Sequence, residues 1–310
     1  MSDSSVLQDG SQSHPYLIEN ADDFVAFINA INTGTQFNDI YHKITNNIDV
    51  QGITFVTNLI ESNSKYHGHL DGNYKVVSNF SRIGGNGGLF ATSDEVAGIS
   101  IKRLGLENVY ISNQSASIFG NFFGNIDECY VTGTIIRTAG NYSGAFTGIT
   151  HTKITNCYSD VAMSGGAART GGIMAQVGAN GLLKNCLAIG NINAGSGVAG
   201  GITGEAMAND RIVNCVAAMS SLSSSTATVM GRIVSVSNTR TVVNCYGLDT
   251  MQVKGATVSS VNALNYNGAN ATIQQLKSLA FYRDVLGWDM ENIWTISGGG
   301  AEFPKLKGFL

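Results

Sequence analysis

Five cysteines recur at nearly constant intervals along the chain. They occupy positions 129, 157, 186, 215 and 245, so successive cysteines are 28, 29, 29 and 30 residues apart. A fixed period of about 20 to 50 residues is typical of solenoids, propellers and other arrays. The chain is therefore predicted to repeat one small structural unit, which constrains its fold strongly and its function weakly.

Other positions follow the same period. An aliphatic residue lies three positions before each cysteine, and asparagine directly precedes the second to the fifth: Ile126, Ile154, Leu183, Ile212 and Val242, then Asn156, Asn185, Asn214 and Asn244. A Gly-x-apolar-x-Gly block, with small residues in place of some glycines, recurs around Leu89, Ile118, Phe146, Ile173, Ile202 and Val229. Extended backward, the cysteine register predicts that Leu104 and Phe80 replace cysteine, with Ile101 and Val77 three positions before them.

The unit is too short and too interrupted for helices. Short apolar runs alternate with clusters of Gly, Ser, Asn and Thr, and the 310 residues include 38 glycines but only 2 prolines. Such a chain suits many positive-φ corners and keeps its backbone donors available for strand pairing. We predict an all-β, single-stranded parallel β-helix of about six to seven coils of 27–30 residues, with short helical caps at both ends. A propeller is the alternative, although these units are short for a four-stranded blade.

The cysteines and asparagines have simple structural interpretations. No Cys-x-x-Cys pair or nearby histidine accompanies the cysteines, so we predict free thiols in an inward column rather than a metal site or a disulfide framework. Asparagine tolerates the left-handed conformation and can bond to its copy on the next coil, which predicts an asparagine ladder at a corner. A row of amides that binds a ligand is the alternative.

Three segments resemble a known repeat. Gly87-Gly88-Leu89-Phe90, Gly144-Ala145-Phe146-Thr147-Gly148 and Gly200-Gly201-Ile202-Thr203-Gly204 are similar to the GLUG repeat. The resemblance extends to the segment 66–73 and to the closing segment 281–306, while the block 227–231 departs from it because it lacks the double glycine. It implies a β-solenoid, usually on secreted or surface-displayed proteins, and it implies no fixed activity, cofactor or catalytic residue.

Both ends of the array carry predicted covers. Asn20 is a candidate N-cap for a helix whose buried face is Phe24, Phe27, Ile28 and Ile31 and which Gly34 ends. Thr272 and Gln275 form a capping-box pattern before Leu276 and Leu279. The predicted organisation is a flexible tail (1–14), an N-terminal helical cap with entry strands (15–65), the solenoid (66–262) and a C-terminal cap (263–310).

Composition and charge narrow the partners. A net charge of −4 with 13% charged residues gives no electrostatic footprint for nucleic acid, and no apolar stretch of membrane-spanning length is present. The first residues show neither the basic nor the apolar region of a signal peptide, which favours a protein that is not exported by that route. We expect no nucleic-acid partner, no membrane insertion and no cofactor.

Three groups of residues are candidate sites. His67, His69 and Asp71 share one strand face, which suits a metal triad or the structural entry to the array. Glu107 and Asp160 share a register two coils apart, roughly 10 Å from each other by strand spacing, as a glycosidase pair would require. Tyr130, Tyr158 and Tyr246 each follow a cysteine, and they form either an outward binding platform or a stabilising stack. We predict no metal site, and a binding strip of Tyr130, Tyr158, Tyr246, Glu107 and Asp160.

The sequence favours a non-enzymatic structural or adhesive protein. We expect a virion surface component assembled in the host cytoplasm, such as a bacteriophage tail fibre, receptor-binding or capsid-decorating protein. Its partners would be neighbouring subunits, a receptor or a cell-surface glycan, and it could form a homotrimer. The alternatives are a polysaccharide lyase or glycoside hydrolase that acts along one face, and a bacterial adhesin that is extracellular or on the cell surface.

Overall fold

The strands of the chain stack as parallel coils. A computed structural model of the protein describes residues 8–55, 65–85, 87–90, 98–113, 117–166, 168–207, 209–226, 229–237 and 240–310. About seven turns form a parallel β-solenoid, as the sequence predicted.

The N-terminal elements form the cap and the first coils. In chain order they are β1 (Tyr16–Ile18), α1 (Ala21–Asn32), β2 (Tyr41–Ile44), β3 (Ile48–Asp49), β4 (Thr54–Phe55), β5 (His69–Ser78), β6 (Ser81–Ile83) and β7 (Ser100–Asn113). From residue 8 onward, the segment predicted as a flexible tail is folded, because the Gly10 carbonyl accepts a hydrogen bond from the Tyr41 amide at 2.9 Å.

The central coils are more regular. Their strands are β8 (Asn125–Asp127), β9 (Tyr130–Arg137), β10 (Tyr142–Gly144), β11 (Thr147–Thr150), β12 (Lys153–Thr155), β13 (Tyr158–Ser164), β14 (Arg169–Gly171), β15 (Met174–Val177), β16 (Leu182–Lys184), β17 (Leu187–Ala188), β18 (Ile192–Asn193), β19 (Val198–Gly200), β20 (Thr203–Ala206), β21 (Asp210–Val213), β22 (Val216–Ala217) and β23 (Ser221–Ser223). Strands β10, β14 and β19 form one narrow sheet, and β11, β15 and β20 belong to a second, while the others join a large sheet that wraps around the corners.

The C-terminal elements finish the array and continue beyond it. They are β24 (Val234–Ser237), β25 (Arg240–Val243), β26 (Tyr246–Leu248), β27 (Gln252–Val253), β28 (Ala256–Thr257), β29 (Ala269–Ala271), α2 (Ile273–Leu276), a π-helical turn (Phe281–Val285), β30 (Trp294–Thr295), a 3₁₀ turn (Gly298–Gly300), β31 (Lys305–Leu306) and a last 3₁₀ turn (Lys307–Phe309). These helices and those of the N-terminal cap are too short or too polar to cross a membrane, as far as the described chain extends.

The predicted columns are confirmed for most of the array. Strand pairing places Ile126, Ile154, Leu183, Ile212 and Val242 in one register, with Ile101 one coil earlier. The cysteines lie beside this column, free and buried. The Cys186 thiol donates to the Ile154 carbonyl of the previous coil at 3.5 Å, and Cys215 and Cys245 repeat the contact. Burial raises the pKa of Cys157, Cys215 and Cys245 well above the ordinary value.

The asparagine ladder is also confirmed. Asn156, Asn185, Asn214 and Asn244 have φ values of 51° to 54°, in the left-handed region. Each later side-chain amide donates to the amide oxygen one coil before, at 3.0 Å, 3.3 Å and 3.1 Å, and Asn156 donates to Asp127 at 3.0 Å. The ladder holds the corner at which the alternation of the strand is interrupted.

The backward extension of the register was wrong by one coil. Leu104 does precede Gly105, the register partner of Tyr130, so it replaces cysteine as predicted. Phe80 does not, because its neighbour Ser81 pairs with Tyr110. Leu70, and not Val77, pairs with Ile101. The cause is a bulge between Asp71 and Lys75, where the residues 73 and 74 have φ values of 52° and 57°.

Two positions of the glycine block also differ from the prediction. The Phe146 carbonyl accepts from Phe119, not from Ile118, so the two units are offset by one residue. In the last unit Ile233 is the partner of Ile202, whereas Val229 is 47% exposed. The glycines themselves serve close packing at a tight corner, because a Cβ on Gly172 would overlap the Gly201 carbonyl oxygen of the next coil.

Both predicted helix caps form. The Asn20 side chain accepts from the Asp23 amide, and α1 buries Phe24, Phe27, Ile28 and Ile31 against the first coil. Thr272 and Gln275 make the reciprocal bonds of a capping box. Leu276 is buried, but Leu279 is 40% exposed, so the predicted apolar face is narrower than expected. At this end Arg232 is buried and donates to backbone carbonyls that include Asn267 and Gly268, which closes the last coil.

Candidate functional site

The C-terminal segment lies along the flank of the solenoid. We call residues 281–310 the strap. The Trp288 indole donates to the Asn214 carbonyl at 2.9 Å, and the Asn244 amide donates to the Val285 carbonyl at 2.8 Å. Further along, Phe309 lies edge-on to the rings of Tyr130 and Tyr74, with centroids 4.8 Å and 5.4 Å away. The strap therefore runs back from the last coils towards the first.

The predicted tyrosines form one outward column, but the strap covers them. Tyr130 and Tyr158 are register partners whose rings stack with centroids 4.9 Å apart and an interplanar angle of 1°. Phe309 covers Tyr130, and Trp294 lies 6.3 Å from Tyr158. Only 4% and 8% of these two residues are exposed, so they are a stabilising stack and not an open platform. Tyr246 continues the column beneath Phe281.

A groove remains beside the strap. The column three residues after the cysteines points outward and contains Thr132, Asp160, Ile189, Ala218 and Leu248. These residues line two adjoining cavities of about 420 Å³ and 540 Å³, which share Asp160, Ile189 and Phe303. We call this the strap groove: the column forms its floor, and Phe303, Leu306 and Phe309 form its strap side.

Most charged groups in the groove have protein partners. The Tyr130 hydroxyl donates to Glu107 Oε1 at 2.6 Å. Lys277 Nζ donates to the Ala301 carbonyl and lies 5.5 Å above the Phe303 ring. Lys305 Nζ lies 3.1 Å from Glu302 Oε2. Buried near the Glu107 carboxylate, Tyr130 has its pKa raised, first by desolvation and then by that hydrogen bond.

Asp160 is different from these groups. In the part of the chain that the structure describes, its carboxylate has no hydrogen bond or ion pair, and it lies where the two cavities meet. It keeps part of its surface in solvent, yet desolvation by the surrounding protein raises its pKa. The groove therefore contains an acceptor that is held without a protein donor.

The structure brings together four of the five predicted strip residues. Tyr130, Tyr158, Glu107 and Asp160 line the first cavity, whereas Tyr246 lies further along the flank under Phe281. Sequence reasoning missed the strap residues of the groove, chiefly Lys277, Phe303 and Phe309. The density of aromatic residues after residue 280 was a signal for them, but their position depends on how the strap folds back.

The histidine and aspartate group has other partners. Asp71 pairs with Arg103 and lies 3.8 Å from Lys102. His69 contacts Ser100 Oγ and Asp39 Oδ1, each at 3.1 Å, and His67 contacts Asn38. These contacts support the structural interpretation of the entry segment over the metal triad.

Comparison with known proteins adds the fold. No protein-family model and no curated protein matches the chain. A crystal structure from Bacteroides ovatus, of a protein described as a putative immunoglobulin A1 protease, is similar, with a TM-score of 0.75 over 96% of this chain and 94% of that chain. Only 23% of the residues are identical, so the similarity shows that the two chains share the β-solenoid fold.

Proposed function

We propose that the chain is a non-enzymatic recognition protein that binds a glycan chain in the strap groove. The observation that carries this proposal is Asp160, a desolvated carboxylate without a protein donor, at the junction of two cavities that Phe303 also lines. Sugar hydroxyls are donors to a carboxylate, while the faces of sugar rings pack on aromatic rings. Both partners are therefore in place for a polyhydroxylated ligand.

The shape of the groove supports an extended ligand. From Thr132 to Leu248 the floor passes through five successive coils. At about 4.8 Å for each coil, this floor is roughly 19 Å long. A linear polymer could contact several equivalent positions, whereas a compact metabolite would occupy one cavity.

A panel of purified bacterial polysaccharides tests this function by calorimetry. We expect one of them to bind, and we expect Asp160→Asn and Phe303→Ala each to weaken that binding about tenfold or more, because a hydrogen bond to a charged group contributes about 1.5–3 kcal/mol. Asp22→Asn, which changes an exposed acid on α1, is the matched control and should bind as the unmodified protein does. Equal binding by Asp160→Asn and Phe303→Ala would refute the groove as the site.

A glycoside hydrolase or lyase is the second candidate. Glu107 and Asp160 line one cavity, and the raised pKa of Asp160 suits a general acid. Against it, Glu107 already accepts a hydrogen bond from Tyr130. If the bound polysaccharide is recovered at its original length after long incubation, binding without cleavage is supported. New reducing ends or unsaturated products that disappear in Asp160→Asn would establish the enzyme instead.

The activity named for the structural neighbour offers a third test. The buried thiols, with the pKa of Cys157, Cys215 and Cys245 raised, are poor nucleophiles, which weighs against a cysteine protease built on them. Intact immunoglobulin A1 after incubation with the protein is the expected result.

We also propose that this protein is displayed on a surface, as a GLUG-type solenoid of a virion or, alternatively, of a bacterial cell. The rod exposes a long flank on which a groove can face a receptor, a glycan or a neighbouring subunit. Fractionation of the native host material tests the location. The protein is expected in purified particles if it is a virion component and in the cell envelope if it is an adhesin.

A further inference from the structure

A second cavity lies near the N-terminal end, around a different set of residues. It measures about 310 Å³ and lies between the folded segment at Gln12, Ser13 and Pro15 and the strands β2, β5 and β7. It shares no lining residue with the strap groove. Between the two, Arg103 packs over the Tyr74 ring, 5.5 Å from its centroid, and Tyr74 contacts Phe309.

A stacked ring pair contributes to the lining. Tyr41 and His69 are register partners, with centroids 4.1 Å apart and an interplanar angle of 15°. Ser100 and Asp39 contact the two nitrogens of the imidazole and hold its orientation. Because the pair is fixed by protein contacts, it offers a rigid surface for a flat apolar ring face.

The charged residues of the cavity are unbalanced. Lys43, Asp71 and Lys102 follow one another in register on three successive coils, and Arg103 adds a third cation. Asp71 is the one carboxylate of the lining, and it forms two hydrogen bonds with Arg103. Three cations against one carboxylate leave an excess of two positive charges, although the whole chain carries a net charge of −4. Among the described residues, Lys43 has no ion-pair partner.

We propose that this cavity binds an acidic sugar, a pyranose that carries a carboxylate or a sulfate. The sugar ring packs on the Tyr41 and His69 pair, while its anionic group lies between Lys43 and Lys102. Ser13 and Gln12 offer hydroxyl and amide groups to the ring hydroxyls. A neutral sugar would leave the excess positive charge without a counterion, so the anionic group supplies selectivity. This site is separate from the strap groove and does not depend on the function proposed for it.

Titration of the full chain with galacturonate, galactose 6-sulfate and galactose, followed by NMR of the His69 imidazole, tests the proposal. At least one acidic sugar should bind about tenfold more tightly than galactose, and the difference should shrink at high salt because exposed charges are screened. The two acidic ligands distinguish carboxylate from sulfate. Binding of galactose as tight as that of both acidic sugars, or no binding of any of the three, would overturn the proposal.

Variants locate the site. Lys43→Met combined with Lys102→Met should abolish the preference for the acidic sugar, and Tyr41→Ala should weaken its binding. Lys153→Met removes an exposed lysine from the same sheet, in register with Ser100 through Asn125, and should change nothing. Phe303→Ala should also leave acidic-sugar binding intact, so failure of this site and failure of the strap groove are distinguishable. Unchanged selectivity in the folded double lysine variant would refute the assignment.

Discussion

Two columns of side chains run along the rod three residues apart, one pointing inward and the other outward. The inward column is cysteine in five successive coils, from Cys129 to Cys245. The outward column, from Thr132 to Leu248, has a different residue in every coil. The inward side chain fits the same narrow space in every coil, so the same residue recurs. Each outward side chain meets a different part of the strap or the groove, so it varies.

The comparison separates the residues that specify the fold from those that specify recognition. Identical stacked residues mark the interior and the asparagine corner, where each copy contacts its own copy. Single residues such as Asp160 have no such duty, and their chemistry is available for a ligand. Four substitutions break or sharpen this contrast, from the largest expected effect to the smallest.

Charge in the inward column should have the largest effect. Cys186→Asp would bury a carboxylate in a site that is 0% exposed, so the free energy of unfolding should fall by about 4 kcal/mol or more, or the protein should not fold. Cys186→Ala keeps the position apolar and should destabilise far less, while Asp160→Ala in the outward column should be nearly neutral. Urea unfolding followed by circular dichroism measures all three, and a fully stable Cys186→Asp would show that this column does not point inward.

Loss of an anchor of the strap should come next. Trp294 is 0% exposed, and Trp294→Ala should destabilise the strap by about 3 kcal/mol while the array stays folded. Limited proteolysis should then cleave the strap, and the pKa of Asp160 should fall towards its ordinary value as solvent enters. Val285→Ala, at a strap residue that is 44% exposed, is the control. Global unfolding of Trp294→Ala would mean that array and strap are one cooperative unit.

Asp210 is an acid on the buried side of the array, and it makes a pH-dependent exception. It is 1% exposed, and desolvation raises its pKa to about 6. Between this value and an unfolded pKa of about 3.9, the folded chain binds more protons than the unfolded chain, so stability from this group rises as pH falls from about 6 to 4.

Asp210→Asn should therefore raise the free energy of unfolding at pH 7.5 by on the order of 2 kcal/mol and remove this part of the pH dependence. Denaturation at pH 4.5 and 7.5 measures the effect, with Asp22→Asn as the exposed control. An unchanged pH dependence in Asp210→Asn would contradict the assignment.

The asparagine corner should give the smallest effect. Asn185→Gly keeps the left-handed conformation, with φ of 54°, but removes the ladder amide, so it should destabilise by about 1 kcal/mol. Asn185→Ala should be less stable by about 1 kcal/mol more, because alanine is strained in this conformation. Thermal melts compare the two variants. If they are equally stable, the backbone conformation does not account for the asparagine.

Sequence reasoning succeeded where the period is regular. The inward aliphatic column, the free thiols, the asparagine corner and both helix caps depend on contacts between equivalent residues or within one turn of helix. It failed at Phe80, because the bulge after Asp71 inserts residues that leave no mark in the period. It failed at Val229 for a similar reason, since Ile202 pairs with Ile233 after 31 residues rather than 27.

The candidate site was only half accessible from the sequence. Glu107, Asp160, Tyr130 and Tyr158 could be grouped because they share registers in the array. The covering of the tyrosines could not be predicted, because the strap belongs to no repeat and its path depends on long-range contacts such as that between Trp288 and Asn214. A period predicts what each coil shares with the next, and the groove is made by residues that do not repeat.

Thiol labelling tests the distinction between the inward and outward columns most directly. In the folded protein a maleimide reagent should leave all five cysteines unmodified, and a sixth cysteine introduced by Asp160→Cys should react quickly. After unfolding in urea all six should react, as mass spectrometry of the intact chain can count. Rapid modification of Cys157, Cys186 or Cys215 in the folded protein, or protection of the residue introduced at position 160, would contradict this account.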